Sequence, residues 1–138
     1  MAGIVSYGAY IPRYRISRKT IFNAVGFMGT FPGPGEKAVA NWNEDSITMA
    51  VAAGLDCLTG QDRKKMTGLN FATTTQPYMV RQNSAIASAA LDLPDGITTA
   101  DFVGCTKSGT TALISAFNAI TRDKEGNIIV CAAECRAG

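Results

Sequence analysis

The chain has 138 residues, of which 46% are hydrophobic, and its 13 Lys and Arg against 11 Asp and Glu leave a net charge of +2. This length and apolar content suit one domain, or part of one, with a packed core. The nearly balanced charge, with no basic run beyond "RKK" at Arg63 to Lys65, argues against a surface for nucleic acid or for an anionic membrane.

The amino terminus "MAGIVSYGAYIPRYR" lacks the basic start, apolar run and small-residue cleavage site of a secretory signal. No apolar stretch reaches the roughly 18 residues of a membrane span, so we expect a cytoplasmic protein. The four cysteines lie in apolar or small-residue segments, as reduced core thiols usually do, and the chain contains no histidine to join them as a ligand. We therefore expect no metal.

Strand and helix patterns alternate from the start of the chain. "GIVSYGAYIP", Gly3 to Pro12, is rich in β-branched and aromatic residues and predicts a first strand. "SRKTIFNAV" predicts a short helix capped by Ser17, and the Gly- and Pro-rich "GFMGTFPGPGEKAV" predicts an irregular loop. After "NED", apolar residues at helical spacing from Ile47 to Leu58 predict a helix with one buried face.

The same alternation continues in the second part of the chain. "LNFATTT" (Leu69 to Thr75) predicts a strand, and "SAIASAALDL" predicts a helix that stops before Pro94. The strand "TTADFVGC", the helix "SGTTALISAFNAI", a turn at "DKEGN" and the strand "IIVCAAEC" follow. Strands that alternate with helices indicate an α/β chain with a mainly parallel sheet.

The helix "SGTTALISAFNAI", Ser108 to Ile120, has scarcely any polar face. A helix that is apolar all round is usually buried on all sides, so we expect it to lie between two sheets. The strand "IIVCAAEC" is apolar enough to be buried within a sheet. We therefore expect another chain, or further sequence, to cover its edge, and predict a homo- or hetero-oligomer.

Four segments, in this order, resemble the amino-terminal half of the thiolase superfamily, in particular 3-hydroxy-3-methylglutaryl-CoA synthase and β-ketoacyl synthase III. They are "GIVSYGAYIPRYRI", "NEDSITMAVAAG", "FATTTQP" and "DFVGCTKSGTTAL". The resemblance implies a five-layer αβαβα fold with a buried central helix, of which residues 1–138 form the amino-terminal half. It also implies acyl-CoA thioesters as ligands, an acyl-cysteine intermediate and Claisen-type carbon-carbon bond formation.

The position of the nucleophile is the main departure from the pattern that the resemblance implies. In these families the cysteine comes five residues after an acidic residue on the strand and four before the Thr of a Gly-Thr step. Counting from Asp101 and from Thr110 both lead to Thr106, whereas Cys105 is one residue early. On a strand, a shift of one residue turns the side chain to the opposite face. Cys105 is then either a small buried hydrophobe or a shifted nucleophile at a strained joint. Thr106, at the registered position, is a poor substitute for the cysteine nucleophile.

Other site positions also follow from the resemblance. Where hydroxymethylglutaryl-CoA synthases place a general-acid glutamate before "P-Y", this chain has Thr74, which cannot hold a proton poised near neutral pH. β-Ketoacyl synthase III works without that glutamate, so this substitution alone does not exclude catalysis. Lys107 and Arg13 are candidates to meet the phosphates of coenzyme A, although each also suits a solvated surface.

Two hypotheses follow from these positions. In the first, the chain is an acyl-CoA-handling homologue whose chemistry is impaired, or a subunit of a larger acyltransferase or thiolase-like complex. In the second, it takes part in active Claisen-type acyl transfer through Cys105, with a histidine contributed by another segment or subunit. Reactivity of Cys105 toward an acyl-CoA distinguishes them.

Overall fold

In the computed structural model, residues 2–25, 33–123 and 126–136 are described. Five strands and four α-helices alternate along these ranges, with one short 3-10 turn at Arg63–Lys65. In chain order they are β1 (Tyr14–Ser17), α1 (Arg18–Val25), β2 (Glu36–Val39), α2 (Ser46–Cys57), β3 (Met66–Thr73), α3 (Asn83–Ala90), β4 (Thr98–Val103), α4 (Ser108–Asp123) and β5 (Asn127–Ala132).

The main sheet of the described ranges has three strands in the order β4-β3-β5, and both neighbours of β3 run parallel to it. The α/β prediction with a mainly parallel sheet is therefore confirmed. A separate antiparallel ribbon pairs β1 with β2, so that Tyr14 lies opposite Val39. The strands predicted from "LNFATTT", "TTADFVGC" and "IIVCAAEC" correspond to β3, β4 and β5, with ends that differ by a few residues.

The two faces of β3 pack against different helices. Leu69 and Phe71 are fully buried and join the core formed with α2 and α3. Because side chains alternate along a strand, Asn70 points the other way, where its side-chain amide donates to the carbonyl oxygen of Ala112 in α4 at 3.0 Å. The described residues thus form three layers, with α2 and α3 on one side of the sheet and α4 on the other.

The helix caps are the local signals that the sequence carries best. Asp45 accepts the backbone N–H of Thr48 at 2.7 Å, while the hydroxyl of Thr48 accepts the backbone N–H of Asp45 at 2.7 Å. This reciprocal pair starts α2 directly after "NED", as predicted. Ser17 accepts the backbone N–H of Thr20 at 3.0 Å and caps α1, which confirms the predicted role of Ser17.

Two local predictions were wrong. Residues 3–12 form no strand, and within the described ranges no strand pairs with them. Gly8 instead packs so closely on α2 that a Cβ there would collide with the backbone of Ala53 and Cys57. The predicted loop before "NED" includes the strand β2, since β1 offers Glu36–Val39 an antiparallel partner. Residues 26–32 of that loop lie outside the described residues.

The burial of α4 also differs from the prediction. Ala112 and Ala116 are buried against the sheet, but Leu113 and Ile114 are 37% and 51% exposed. The reason is that the described ranges contribute one parallel sheet, which covers one side of the helix. Leu55 on the predicted buried face of α2 is likewise 46% exposed, whereas Ile47, Ala50 and Gly54 are buried as expected.

Candidate active site

Chemically useful side chains gather where the three parallel strands end. Cys105 follows β4, Thr74 follows β3 and Glu134 follows β5. The carboxyl ends of parallel strands meet at one edge of a sheet, which is where open α/β sheets commonly bind ligands. Since β3 is the middle strand, Thr74 lies between the other two positions along this edge.

The joint between β4 and α4 turns at a glycine. β4 ends at Val103, and Gly104 has a φ of +90°, in the left-handed region that favours glycine. The strict alternation of strand side chains therefore stops before Cys105. A shift of one residue along a strand would turn the Cys105 side chain to the opposite face, but Cys105 lies beyond the strand, so this argument does not apply to it. The spacing from Asp101 and from Thr110 still leads to Thr106.

Cys105 is exposed and lies at the amino-terminal end of α4. Its Sγ is 3.7 Å from the hydroxyl oxygen of Ser108, and the backbone N–H of Ser108 donates to the carbonyl oxygen of Cys105 at 3.1 Å. The Ser108 hydroxyl donates to that same carbonyl oxygen at 2.7 Å. A small rotation of this hydroxyl would direct its hydrogen to the sulfur once a thiolate forms. Because Cys105 is exposed in the described part of the chain, the interpretation of this residue as a small buried hydrophobe is wrong.

The surroundings of the Cys105 thiol favour its ionised form. The Ser108 hydroxyl, followed by the backbone N–H of Lys107, lowers the pKa of Cys105 below its ordinary value. The charge of Lys107 adds to this effect, and the first turn of a helix favours a negative charge. Cys131 behaves in the opposite way, because burial raises the pKa of its thiol to about 12.

Thr106 and Lys107 are both exposed in the turn that leads into α4. The carbonyl oxygen of Lys107 accepts the N–H of Thr111 at 3.0 Å and the hydroxyl of Thr111 at 3.2 Å, so the backbone of Lys107 already takes part in the first turn. The Lys107 side chain is next in sequence to the registered position, Thr106, and two residues from Cys105. These three predicted site residues are consecutive in the sequence and all lie exposed at one joint.

Thr74 is bound to a carboxylate that comes from another strand. Its backbone N–H donates to one oxygen of Glu134 at 2.8 Å, and its hydroxyl donates to the other at 2.7 Å. Arg136 approaches both partners: its Nε is 3.4 Å from Glu134, and its Nη2 donates to the hydroxyl oxygen of Thr74 at 3.1 Å. Burial acts to raise the pKa of Glu134, but the bonds from Thr74 and the charge of Arg136 outweigh it, so the pKa is lowered.

Arg13 lies in a different environment from Lys107. It is exposed just before β1, and its positive charge acts on the carboxylate of Glu44 and on Tyr10, which donates a hydrogen bond to Glu44. The carboxylate of Glu44 also accepts the backbone N–H of Asn41 at 2.7 Å, and this bond contributes most to lowering its pKa. The structure thus places Arg13 with the Tyr10–Glu44 pair.

Sequence reasoning missed two residues of this edge, Ser108 and Glu134. Ser108 is a residue type that commonly starts helices, and this pattern does not predict a contact between its hydroxyl and Cys105. Glu134 directly follows the last apolar strand, and a polar residue after a strand end is the signal that could have found it. Within the described ranges no cluster of three metal-ligating side chains occurs, and no helix is long and apolar enough to cross a membrane.

A cavity of about 310 Å³ lies elsewhere, between residues 3–8, α2, α4 and β5. Its walls are mainly apolar and include Ile4, Ala53, Phe117 and Ile128. It opens beside the outer edge of β5, which pairs with β3 on its other side. Neither Cys105 nor Thr74 lines it.

Comparison with curated proteins finds hydroxymethylglutaryl-CoA synthases along the chain. The enzyme of Thermococcus gammatolerans is 32% identical over 138 residues, a match that covers 99% of this chain and 39% of the synthase. The enzyme of Pyrococcus furiosus is 37% identical over 116 residues, covering 83% and 33% respectively. The chain thus spans about two fifths of the length of the curated relatives it matches. No protein-family model matches it.

Solved structures with the same fold cover nearly the whole chain. β-Ketoacyl-[acyl carrier protein] synthase III from Thermus thermophilus aligns with a TM-score of 0.81 at 20% identity, covering 97% of this chain and 43% of that one. MvaS in complex with 3-hydroxy-3-methylglutaryl coenzyme A aligns with a TM-score of 0.80 at 22% identity, covering 96% and 34%. At these identities the likeness establishes the thiolase-like fold.

Proposed function

We propose, from the premise that this chain is a thiolase-like homologue of part of the hydroxymethylglutaryl-CoA synthases, that it carries the acyl-accepting cysteine of a condensing enzyme acting on acyl-CoA thioesters. The observation that carries the proposal is the exposed Cys105 thiol at the start of α4, with its lowered pKa. In this reaction the Cys105 thiolate attacks the thioester carbonyl, the sulfur of coenzyme A leaves as a thiolate, and a new thioester bond to Cys105 forms. The proton of the Cys105 thiol ends on the released coenzyme A.

Three features of the joint support Cys105 over Thr106 as the acyl acceptor. A thiol with a lowered pKa ionises more readily than an ordinary cysteine, whereas a threonine hydroxyl needs a strong base to activate it. The left-handed turn at Gly104 leaves Cys105 beside the first turn of α4. The dipole of this 16-residue helix also favours the negative charge that develops at its amino terminus.

A non-catalytic role is the second candidate, and the sequence registration favours it. Both counts lead to Thr106, the position of the synthase glutamate holds Thr74, and the chain contains no histidine. In that case the chain is a structural or CoA-binding subunit beside an active thiolase-like partner. The exposed face of α4 and the outer edge of β5 are then docking surfaces and serve no catalytic assembly.

Under either candidate we propose that residues 1–138 form the amino-terminal half of a thiolase-like domain. The exposed side chains of Leu113 and Ile114 are the place where a second sheet would complete the burial of α4. That second half would come from a longer chain or from a partner subunit, and would supply the histidine that the condensing families use. Lys107, which is exposed two residues after Cys105, would meet a phosphate of coenzyme A. Arg13 would do so only if the nucleotide end reaches the Tyr10–Glu44 pair.

The test is incubation of the protein, together with any chain that co-purifies, with acetyl-CoA, followed by peptide mapping by mass spectrometry. We expect an acetyl group on Cys105, no acetylation at this joint in Cys105→Ser, and unchanged acetylation in Thr106→Val. Acetylation of Thr106, or an unmodified joint in a folded protein that binds acetyl-CoA, would support the non-catalytic candidate instead.

A further inference from the structure

The Thr74–Glu134 contact joins the segments that follow two neighbouring strands of the candidate site. The carboxylate of Glu134 lies against the residue that matches the synthase glutamate, yet it comes from 60 positions further along the chain. Both of its oxygens are bound by Thr74, one by the backbone N–H and one by the hydroxyl. The shortest contacts of the Glu134 carboxylate are thus with Thr74, and the Thr75 hydroxyl at 3.5 Å and Arg136 Nε at 3.4 Å also contact it.

The sheet register explains why the two residues meet. Ala72 pairs with Ala132, and the N–H of Ala133 donates to the carbonyl oxygen of Ala72 at 3.1 Å, which continues the ladder beyond the end of β5. Thr74 and Glu134 come two residues after the paired alanines, just beyond the ends of two neighbouring strands that lie about 4.8 Å apart. The carboxylate of Glu134, which follows β5, thus reaches the residue that follows β3.

We propose that the Thr74–Glu134 pair performs the acid-base step for which the synthases use a glutamate at position 74, with the Thr74 hydroxyl as the group that touches substrate and Glu134 as the proton acceptor behind it. This inference rests on the proposed function, because it needs an acyl group on Cys105.

The proton transfer balances without any further reactant. The Thr74 oxygen takes a proton from the carbon next to the thioester carbonyl of acyl-Cys105, while the hydroxyl hydrogen of Thr74 passes to a carboxylate oxygen of Glu134. The electron pair of the broken C–H bond moves to the thioester oxygen as an enolate. The reverse transfer returns a proton, or a deuteron from heavy water, to that carbon.

The charges around the pair suit this role. The lowered pKa of Glu134 keeps its carboxylate ionised near neutral pH and able to accept a proton. The bond from Arg136 Nη2 to the hydroxyl oxygen of Thr74 directs the hydroxyl hydrogen toward Glu134.

The experiment separates acylation from proton exchange. The protein, with any chain that co-purifies, is acetylated with acetyl-CoA in heavy water, and the deuterium content of the acetyl group on Cys105 is followed by mass spectrometry. Compared per acetylated Cys105, we expect Glu134→Gln and Thr74→Val to exchange the methyl hydrogens of the acetyl group at least about a hundredfold more slowly than the wild type. Thr74→Ser keeps the hydroxyl and should exchange within about threefold of the wild-type rate.

A double variant in which the two residues trade places provides a second, independent test. The double variant Thr74→Glu, Glu134→Thr places the carboxylate where the synthases have it and should restore exchange that Glu134→Gln loses. Wild-type exchange rates in folded Thr74→Val, or in Glu134→Gln, would overturn the role of the pair while leaving Cys105 acylation intact. Absence of acetylation in the wild-type protein would instead refute the proposed function, and the role of the pair with it.

Discussion

The carboxylate of Asp101 holds the start of α3 through Asn83. One of its oxygens accepts both the backbone N–H of Asn83 at 2.7 Å and the side-chain amide at 2.9 Å, and the other accepts the N–H of Ser84 at 2.7 Å. Asp101 lies on β4, four residues before Cys105. The acidic residue that marks the registration of this strand thus ties the strand to a neighbouring helix.

Replacement of Asp101 by Asn should destabilise the fold by about 1 to 3 kcal/mol, because charge-assisted bonds to buried N–H groups are lost or weakened. Thermal or urea unfolding measures the effect. Asp95→Asn, at an exposed position in a loop, is the matched control and should leave the free energy of unfolding within about 0.5 kcal/mol of the wild type. Equal stability of the two variants would contradict the role of Asp101 as a cap.

The same carboxylate makes stability depend on acid. Burial acts to raise the pKa of Asp101, but the hydrogen bonds from Ser84 and Asn83 outweigh it, so the pKa is lowered in the folded state. Its stabilising contribution is then complete above the unfolded pKa of about 3.9 and is lost as the pH falls through the folded value. Between about pH 5 and pH 3 the wild type should lose more stability than Asp101→Asn, in urea titrations at each pH. If the free energies of unfolding of the wild type and of Asp101→Asn fell in parallel between these pH values, the role of the Asp101 carboxylate in acid sensitivity would be refuted.

Alkylation by iodoacetamide should single out Cys105. At pH 7 it should react well before Cys131, whose burial raises its pKa to about 12. Ser108→Ala removes the group that contributes most to lowering the pKa of Cys105 and should slow alkylation by about three- to tenfold at pH 7. Near pH 10 the alkylation rates of Cys105 in the wild type and in Ser108→Ala should converge, since the Cys105 thiol is then ionised in both proteins. A rate ratio that does not change with pH would mean that Ser108 acts on access to the sulfur.

The left-handed glycine at the joint should matter for both stability and reactivity. Gly104 and Gly60 have φ values of +90° and +75°, and no atom lies within 4 Å of a Cβ built at either. Alanine at each position should therefore cost a similar amount, about 1 to 2 kcal/mol. Only Gly104→Ala should also change the alkylation rate of Cys105, because Gly104 sets the direction of the joint. An unchanged rate in a measurably destabilised Gly104→Ala would show that the sulfur position does not depend on this turn.

The amino-terminal segment is attached to α2 by close packing at Gly8. Any side chain there meets backbone atoms of Ala53 and Cys57, which cannot move aside as a flexible side chain would. Gly8→Ala should destabilise by about 1 to 3 kcal/mol or detach residues 3–12, detected as faster hydrogen exchange or proteolysis of that segment. Gly3→Ala, with open space around its Cβ, is the control and should change little. Identical protection in both variants would contradict the packing described for Gly8.

Local chemistry in the sequence determined the starts of α1 and α2, the later strands and helices to within a few residues, and one side of the site. The capping pairs of Ser17 and Asp45 and the apolar periodicities of α2 and α4 act within one or two turns, so they can be interpreted without knowing what packs against them. The resemblance through "DFVGCTKSGTTAL" placed the candidate chemistry at the joint between β4 and α4, and the structure has its exposed cysteine there.

Tertiary structure alone decided which groups meet at that edge. Glu134 contacts Thr74 because β3 and β5 are parallel neighbours in a particular register, a relationship between segments 60 residues apart that no local pattern encodes. The left-handed turn at Gly104 ends the strand alternation on which the sequence argument relied, directly before the exposed Cys105. The first strand failed to form because a strand is completed by hydrogen bonds to a neighbour, and its own residues cannot supply that neighbour.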